Sequence, residues 1–376
     1  MTVRTFTPEQ LTFGVEEEFL LADRYSRFAA ARADEVIDDV GRVLGERVTA
    51  EFCSSQLETR SEVCRTAAEL YGDLAHARRT AVDAAARAAC LLVASPCAVL
   101  TRRPPPIRTA GRYRQIADHL GPLLSTTTCE INGCHIHVGT ISRAEALLLS
   151  SRMRAWLPVV QALAANSPFA EGCDRNCASC RGLEYGRWPT VGPAPVLDEG
   201  GYAQRAEELV STGTVIDRKM IYWYARPSEH LPTLEFRVAD ANADLRTVVL
   251  LAVLLRALAA VLLAEGDGSR AEEQIDDVLL LENHRRAARY GLAGTFFDVG
   301  SAGEQPVREL VAALLARARP ALEASGDLEF AESTLERILS RGNGAYRQCA
   351  VYADTRSLPA VVDHLALETA AGLERD

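Results

Sequence analysis

Residues 11–21 alternate apolar and polar side chains, the two-residue period of a strand with one buried face. A helical spacing follows over 33–44, then a second strand pattern over 51–60 and an alanine-rich helical stretch over 66–89. Residues 91–100 read as a strand that ends before Pro104, Pro105 and Pro106, because proline has no N–H to give a ladder. A strand over 133–140 leads into a helix over 142–166, with Ser142 as N-cap and Glu145 completing a capping box. Between 167 and 201 no period is visible and Pro, Gly, Cys and Arg dominate; a loop this long in a compact protein is functional or disordered. Strand patterns return near 219–225 and 233–239, and helical ones run from 243 to the end, broken by glycine-containing loops at 291–303 and 341–344. Early strands and late helices without βαβ regularity predict an α+β fold built on a mainly antiparallel sheet. With no repeat and no linker between halves, residues 1–376 are expected to form a single domain.

At 48% hydrophobic and 24% charged residues, the chain has the composition of a globular protein with ample core material. Its net charge of −10 opposes a nucleic-acid partner, whose phosphates attract basic surfaces. The longest apolar run, 248–264, carries Arg256 at its middle and is shorter than the roughly 20 residues that cross a bilayer. A buried helix and no membrane partner are therefore expected. The first ten residues lack the apolar stretch of a secretory signal, which predicts a cytoplasmic protein whose ten cysteines are reduced core residues. Lys219 is the only lysine, and neither a P-loop nor a kinase lysine pattern exists. Any nucleotide phosphates would fall to arginines and metal ions.

The strands carry the candidate chemistry. In residues 14–21, Val15, Phe19 and Leu21 define a core face, which places Glu16 and Glu18 together on the other. In residues 134–138, Cys134, Ile136 and Val138 point inward and His135 and His137 outward; residues 234–238 likewise offer Glu235 and Arg237, and residues 55–60 offer Gln56, Glu58 and Arg60. One polar face of an antiparallel sheet is ordinary, but four strands repeating Glu, His and Arg are not. Carboxylates with an imidazole suit Mg²⁺ or Mn²⁺, which take oxygen ligands and bridge substrate phosphates, and neighbouring arginines would bind the remaining phosphate oxygens.

GVEEEF at 14–19, SQLE at 55–58, HIHVG at 135–139, RPS at 226–228 with EFRVAD at 235–240, and ENHRRAARYGL at 282–292 together resemble the ordered motifs of the bacterial carboxylate–amine ligases, the type 2 glutamate–cysteine ligase family. The resemblance runs from about residue 11 to 350. It implies a glutamine-synthetase-like fold, in which a curved, mainly antiparallel sheet forms an active-site funnel and helices pack on the opposite face. It also implies a reaction in which ATP phosphorylates a carboxylate and an amine displaces the phosphate, with Mg²⁺ (or Mn²⁺) and ATP as cofactors and an amino acid or other carboxylate as substrate. By that resemblance Glu16, Glu18, Glu58, His135 and Glu235 are metal ligands, and Arg237 stabilises the transferring phosphoryl group. Glu51, seven residues before Glu58, would face the other way on an unbroken strand. His137 meets phosphate or serves as a hydrogen-bonded neighbour; both readings stay open. Arg181 reaches a substrate carboxylate or phosphate from the aperiodic loop, Asn283 and Arg289 match nucleotide-side positions, and Arg347 closes over the site. Association as a homodimer is compatible with this family.

Cys173, Cys177 and Cys180 stand where relatives carry Ser or Ala, and three cysteines suggest zinc or an iron–sulfur cluster, although no fourth Cys or His is nearby in sequence. Two other functions use the same residues: a metal-dependent hydrolase built on His135 and His137, and a nucleotide-binding relative that has lost turnover. The absence of a G-x-S-x-G elbow agrees with a reaction that needs no protein nucleophile.

Overall fold

The alternating segment near the N-terminus becomes β1 (Thr12–Asp23), the axis of a seven-stranded sheet. The structure is a computed structural model that describes residues 10–121, 123–126, 130–266, 276–297 and 303–373. Beside β1 come β2 (Val48–Ala50), β3 (Gln56–Arg60), β4 (Cys90–Val93) and β5 (Gly133–Gly139); after a small hairpin, β6 (Phe169–Ala170) and β7 (Cys173–Asp174), follow β8 (Ala225–Pro227) and β9 (Thr233–Asp240). The order is β2-β3-β1-β5-β9-β8, with β4 also paired to β1, and every pairing is antiparallel. A second hairpin joins β10 (Thr295–Phe297) to β11 (Glu304–Pro306).

The helices are α1 (Ala33–Leu44), α2 (Ala67–Arg87), α3 (Gly111–Leu120), α4 (Leu123–Thr126), α5 (Arg143–Arg152), α6 (Leu157–Ala164), α7 (Cys180–Tyr185), α8 (Glu199–Ser211), α9 (Leu245–Ala264), α10 (Asp277–Tyr290), α11 (Val307–Ser325), α12 (Leu328–Arg341), α13 (Gly344–Thr355) and α14 (Leu358–Ala370). The apolar sheet face, with Phe13, Val15, Ile136, Val138, Leu234 and Phe236, packs in one core with α9 and α6. At 20 residues α9 is long and apolar enough to cross a bilayer, unlike the shorter run expected from sequence, but 89% of its apolar window is buried inside the protein. Its Arg256 is 1% exposed, paired with Asp327 and 4.3 Å from the Phe13 ring, a buried charge made tolerable by a partner.

Several boundaries differ from expectation. The helix over 142–166 is two helices, α5 and α6, because Pro158 in the first turn of α6 has no N–H to continue the preceding ladder; the Ser142–Glu145 capping box is present. The strand over 91–100 stops at Val93, before Pro96. Residues 219–225 form a 3-10 turn (Arg218–Met220) and only then β8. The aperiodic stretch 167–201 contains the β6–β7 hairpin and α7.

Candidate active site

Register decides which polar residues meet. Glu18 stands opposite Glu58, Glu16 opposite both Arg60 and His135, and Glu235 opposite both His137 and Arg226, so Glu58, Glu16, Glu18, His135, His137 and Glu235 share one floor across β3, β1, β5 and β9. A register shift between β5 and β9 lets Val238 and Ala239 both enter the core, which keeps Glu235 and Arg237 on the open face. Above this floor lies a pocket of about 560 Å³, within the range of small-molecule sites. Its walls include Phe52, Tyr113, Tyr185, Trp188 and Tyr222, linked by edge-to-face and tilted ring contacts.

The floor is tightly connected. His135 Nδ1 lies 3.3 Å from Glu16 Oε2 and its Nε2 3.5 Å from Glu18 Oε1, while His137 Nε2 lies 3.6 Å from Glu16 Oε1. Gly133 N donates to Glu18 Oε2 at 2.6 Å, and Thr49 Oγ1 donates to Glu58 Oε1 at 3.1 Å. Arg226 Nε donates to Glu235 Oε2 at 2.9 Å, and Arg237 pairs with the other oxygen, Oε1. Arg237 also leans on the Tyr185 hydroxyl at 3.5 Å and lies 5.6 Å from the Tyr222 ring centre.

Burial would raise every carboxyl here, and the neighbours decide the outcome. For Glu16 the neighbouring imidazoles of His135 and His137 outweigh burial and hold it well below the usual range. For Glu235 the guanidiniums of Arg237 and Arg226 do the same. For Glu51 and Glu58 burial wins: together with the charges of Glu18 and Glu16 it pushes Glu51 up to about 8 despite Arg237, and together with Glu16 and Glu51 it pushes Glu58 up as well. His137 is raised despite burial, by Glu16 and Glu235. The carboxylates of Glu51 and Glu58 therefore lack enough neighbouring positive charge to ionise at their ordinary pH.

A divalent cation fits that deficit. One ligand atom each from Glu16, His135 and Glu235 lie within 4.8 Å of one another, and so do atoms of Glu18, Glu58 and His135. The two groups share His135, and the donors are mostly carboxylate oxygens, the set that suits Mg²⁺ or Mn²⁺. His137 Nε2 is buried without a hydrogen-bond partner, and its Nδ1 is held by Thr233 Oγ1 at 2.9 Å.

In metal-free protein Glu51 keeps its proton to about pH 8, whereas its ordinary value is 4.5. The folded state then binds more protons than the unfolded chain across that window, so stability should fall as pH rises from about 4.5 to 8. Glu58 and His137 act in the same direction. Glu16 and Glu235, both lowered, act below 4.5. The Glu51 contribution should appear as a parent-minus-Glu51→Gln difference in thermal midpoint in chelator that falls across this window and is flattened by excess Mg²⁺, since Cys180 and His284, lowered to about 4 and about 3, act in the opposite direction in both proteins; a difference that rises with pH would contradict the charge deficit.

Other expected site residues are placed differently. Arg181 sits on α7 rather than in an open loop; it is buried, donates to the carbonyls of Arg237 (3.1 Å) and Val238 (3.4 Å), stacks 4.8 Å from Tyr185 and lines the pocket. Gly133 makes this possible, because a Cβ there would stand 2.5 Å from Arg181 Nη2. Arg347 does not close over the pocket: it lies on α13 and pairs with Glu368 of α14 at 2.7 Å. Asn283 is tied to the backbone of Phe297 at 2.9 and 2.8 Å, and Arg289 lines a separate cleft between α7 and α10. Gln56 holds Ile131 O and Asn132 Oδ1 rather than facing a ligand. Arg226, the arginine of the RPS motif, joins the pocket from β8, and Glu51 lines it because residues 51–55 form a turn between β2 and β3, not an unbroken strand; nothing local in the sequence marks either as a pocket residue.

Comparison with known proteins places this geometry. The sequence profile of glutamate-cysteine ligase family 2 matches residues 12–364. A protein of Saccharopolyspora erythraea provisionally named glutamate–cysteine ligase 2-1 is 39% identical over 361 residues, covering 96% of this chain and 95% of that one. A Salinispora arenicola protein provisionally named glutamate–cysteine ligase 2 is 37% identical over 362 residues, covering 96% and 95%. In fold, the glutamate–cysteine ligase of Francisella tularensis, solved in complex with AMP, superposes with a TM-score of 0.74 at 10% identity over 99% of this chain and 91% of its own. A bifunctional glutathione synthetase of Pasteurella multocida gives a TM-score of 0.66 at 15% identity, over 97% of this chain and 53% of its own. The α+β, glutamine-synthetase-like sheet with its open polar face is thus a ligase fold, and the chain belongs to glutamate–cysteine ligase family 2.

Proposed function

We propose that this protein is an ATP-dependent ligase that joins the γ-carboxylate of glutamate, or of a related acid, to cysteine or another amine through an acyl phosphate. The observation that carries the reading is the pair of ligand groups sharing His135 beside two arginines on Glu235. The F. tularensis ligase of the same fold, solved in complex with AMP, supports the use of a nucleotide. Divalent cations held by Glu16, Glu18, Glu58, His135 and Glu235 would supply charge neutralisation for the phosphates.

The chain's own residues do the rest. A carboxylate is a poor electrophile, and transfer of a phosphoryl group to it creates a leaving group; such transfer is governed by positioning and charge stabilisation. Arg226 alone can balance Glu235, which leaves the Arg237 fork, braced by Tyr185 and Tyr222, to turn to phosphoryl oxygens. Arg181 holds the backbone of β9 beneath Arg237 and presents its remaining face to the pocket. His137, fixed by Thr233 and carrying a raised pKa, offers a proton or a hydrogen bond to an oxygen beside Glu16.

The reading is tested by incubating the enzyme with Mg²⁺, ATP, glutamate carrying ¹⁸O in its γ-carboxylate, and a panel of amines that includes cysteine. An amide product and phosphate are expected in equal amounts, with one ¹⁸O delivered to the phosphate. Amide formed without ¹⁸O in phosphate would overturn the acyl phosphate. Hydrolysis of a substrate without nucleotide would favour the hydrolase reading.

A further inference from the structure

Cys177 and Cys180 frame the turn into α7, and Cys97, from the segment after β4, packs against them in a small cluster with Ala170. Cys97 and Cys180 are buried together, and Cys177 packs against them from the partly exposed side. Cys173 is exposed and outside this cluster, so the grouping is not the one its spacing suggested. Among the described residues these thiols do not form a metal-ligand group, whereas the carboxylate–histidine groups do. Two thiols three residues apart on a turn are suited to bonding each other instead.

We propose that Cys177 and Cys180 form an oxidation site at which a hydroperoxide converts the pair to a disulfide and displaces Arg181 from the pocket. Cys180 is the attacking thiol. The neighbouring Cys177 and Cys97 thiols, with the guanidiniums of Arg175 and Arg187, bring its pKa down to about 4, while the pKa values of Cys177 and Cys97 are pushed up. The thiolate is the reactive form. Its sulfur attacks one peroxide oxygen, the O–O bond breaks, and the other oxygen leaves as an alcohol, or as water from hydrogen peroxide, after taking a proton. The Cys180 sulfenic acid is then attacked by Cys177: an S–S bond forms, the S–O bond breaks, and hydroxide leaves as water with the Cys177 proton. Two thiols lose two electrons and the peroxide gains them. Entry is from the cleft between α7 and α10, which Cys177 lines with Cys180 buried directly behind it, and which lies on the other side of α7 from the candidate active site.

The consequence for catalysis rests on the ligase reading and follows from where the chain is pinned. Cys180 N donates to Ser167 O at 2.8 Å, Ser179 N to Ala288 O at 2.7 Å, and Ser179 Oγ to Asp240 Oδ1 at 2.8 Å. Closing the two sulfurs from contact to a bond of about 2.05 Å pulls on this anchored turn. Arg181 is the next residue, and its guanidinium contacts the β9 carbonyls of Arg237 and Val238. Displacement on the order of 1 Å in a positioning group can cost up to about 100-fold in rate.

The test oxidises the purified full-length protein with hydrogen peroxide and maps peptides without reduction, alongside steady-state kinetics before and after treatment with dithiothreitol. A Cys177–Cys180 disulfide and a loss of about 10- to 100-fold in kcat/KM, restored by reduction, are expected. Cys177→Ser, with Cys177→Ala as a second variant should the first fold poorly, should keep the reduced activity and lose the reversible inhibition. A Cys97–Cys180 or Cys173-containing linkage overturns the site, as does stoichiometric zinc or iron lost on cysteine substitution. Reversible inhibition that persists in the Cys177 variants overturns the coupling. The peptide map is independent of turnover, so a protein that forms the disulfide but joins no amide would count against the ligase reading and not against the oxidation site.

Discussion

Replacing Glu58 by Gln is expected to lower turnover about 100-fold or more while raising the midpoint of thermal unfolding in chelator. The two effects have one cause. Glu58 stands opposite Glu18, accepts a single hydrogen bond from Thr49 and feels the charges of Glu16 and Glu51, which keep its pKa well above the ordinary range. At neutral pH the metal-free fold therefore carries a penalty that glutamine removes, while the same substitution deletes a proposed ligand for the cation of the ligase reading, and charge stabilisation of that kind is typically worth 10²-fold or more. Glu235→Gln should give the opposite stability sign, because Arg226 and Arg237 are both paired to that carboxylate and removing one partner of a buried pair costs about 3–5 kcal/mol. Differential scanning calorimetry in EDTA, with turnover measured at saturating Mg²⁺, reads both effects. Equal destabilisation by the two variants would refute the charge distribution, and turnover within about tenfold of the parent would refute the ligand role.

Arg237→Lys should lower kcat by about 100-fold with the KM for ATP changed less than about threefold. Lysine keeps the positive charge but loses the planar fork that can hold two phosphoryl oxygens while its stem rests on aromatic rings. Arg237 now rests on Glu235, Tyr185 and Tyr222, an arrangement a point charge cannot reproduce. Steady-state kinetics with ATP and the acid varied separately decide the matter. An unchanged kcat with a raised KM would make Arg237 a ground-state anchor, and the transition-state role would be lost.

Alternation along single strands made most of the floor legible. Glu16 and Glu18, His135 and His137, and Glu235 and Arg237 separate from their apolar neighbours by a two-residue period, and that separation needs only backbone geometry. Glu17 shows where the pattern stops being informative. It points to the apolar face, 3% exposed, and survives there because Arg78 of α2 meets it at 2.6 Å while also donating to the carbonyls of Asn242 and Ala243. Nothing in residues 14–19 announces a partner 61 residues away.

The sequence by itself determined the strand faces, the polar character of one sheet surface and the family, because each depends on local period or on the order of short motifs. Only the tertiary structure decided which of those residues share a site. Cross-strand register put His135 between Glu16 and Glu18, a turn brought Glu51 inward, and β8 supplied Arg226 to Glu235. Helix packing sent Arg347 to Glu368 and Arg289 to another cleft, and it set Cys97 beside Cys180 across 83 positions of sequence, counted from 97 to 180. The physical reason is that side-chain period is a property of a few consecutive residues, whereas charge pairing, pKa and ligand geometry are properties of atoms a few ångströms apart, and the chain brings those together only by folding.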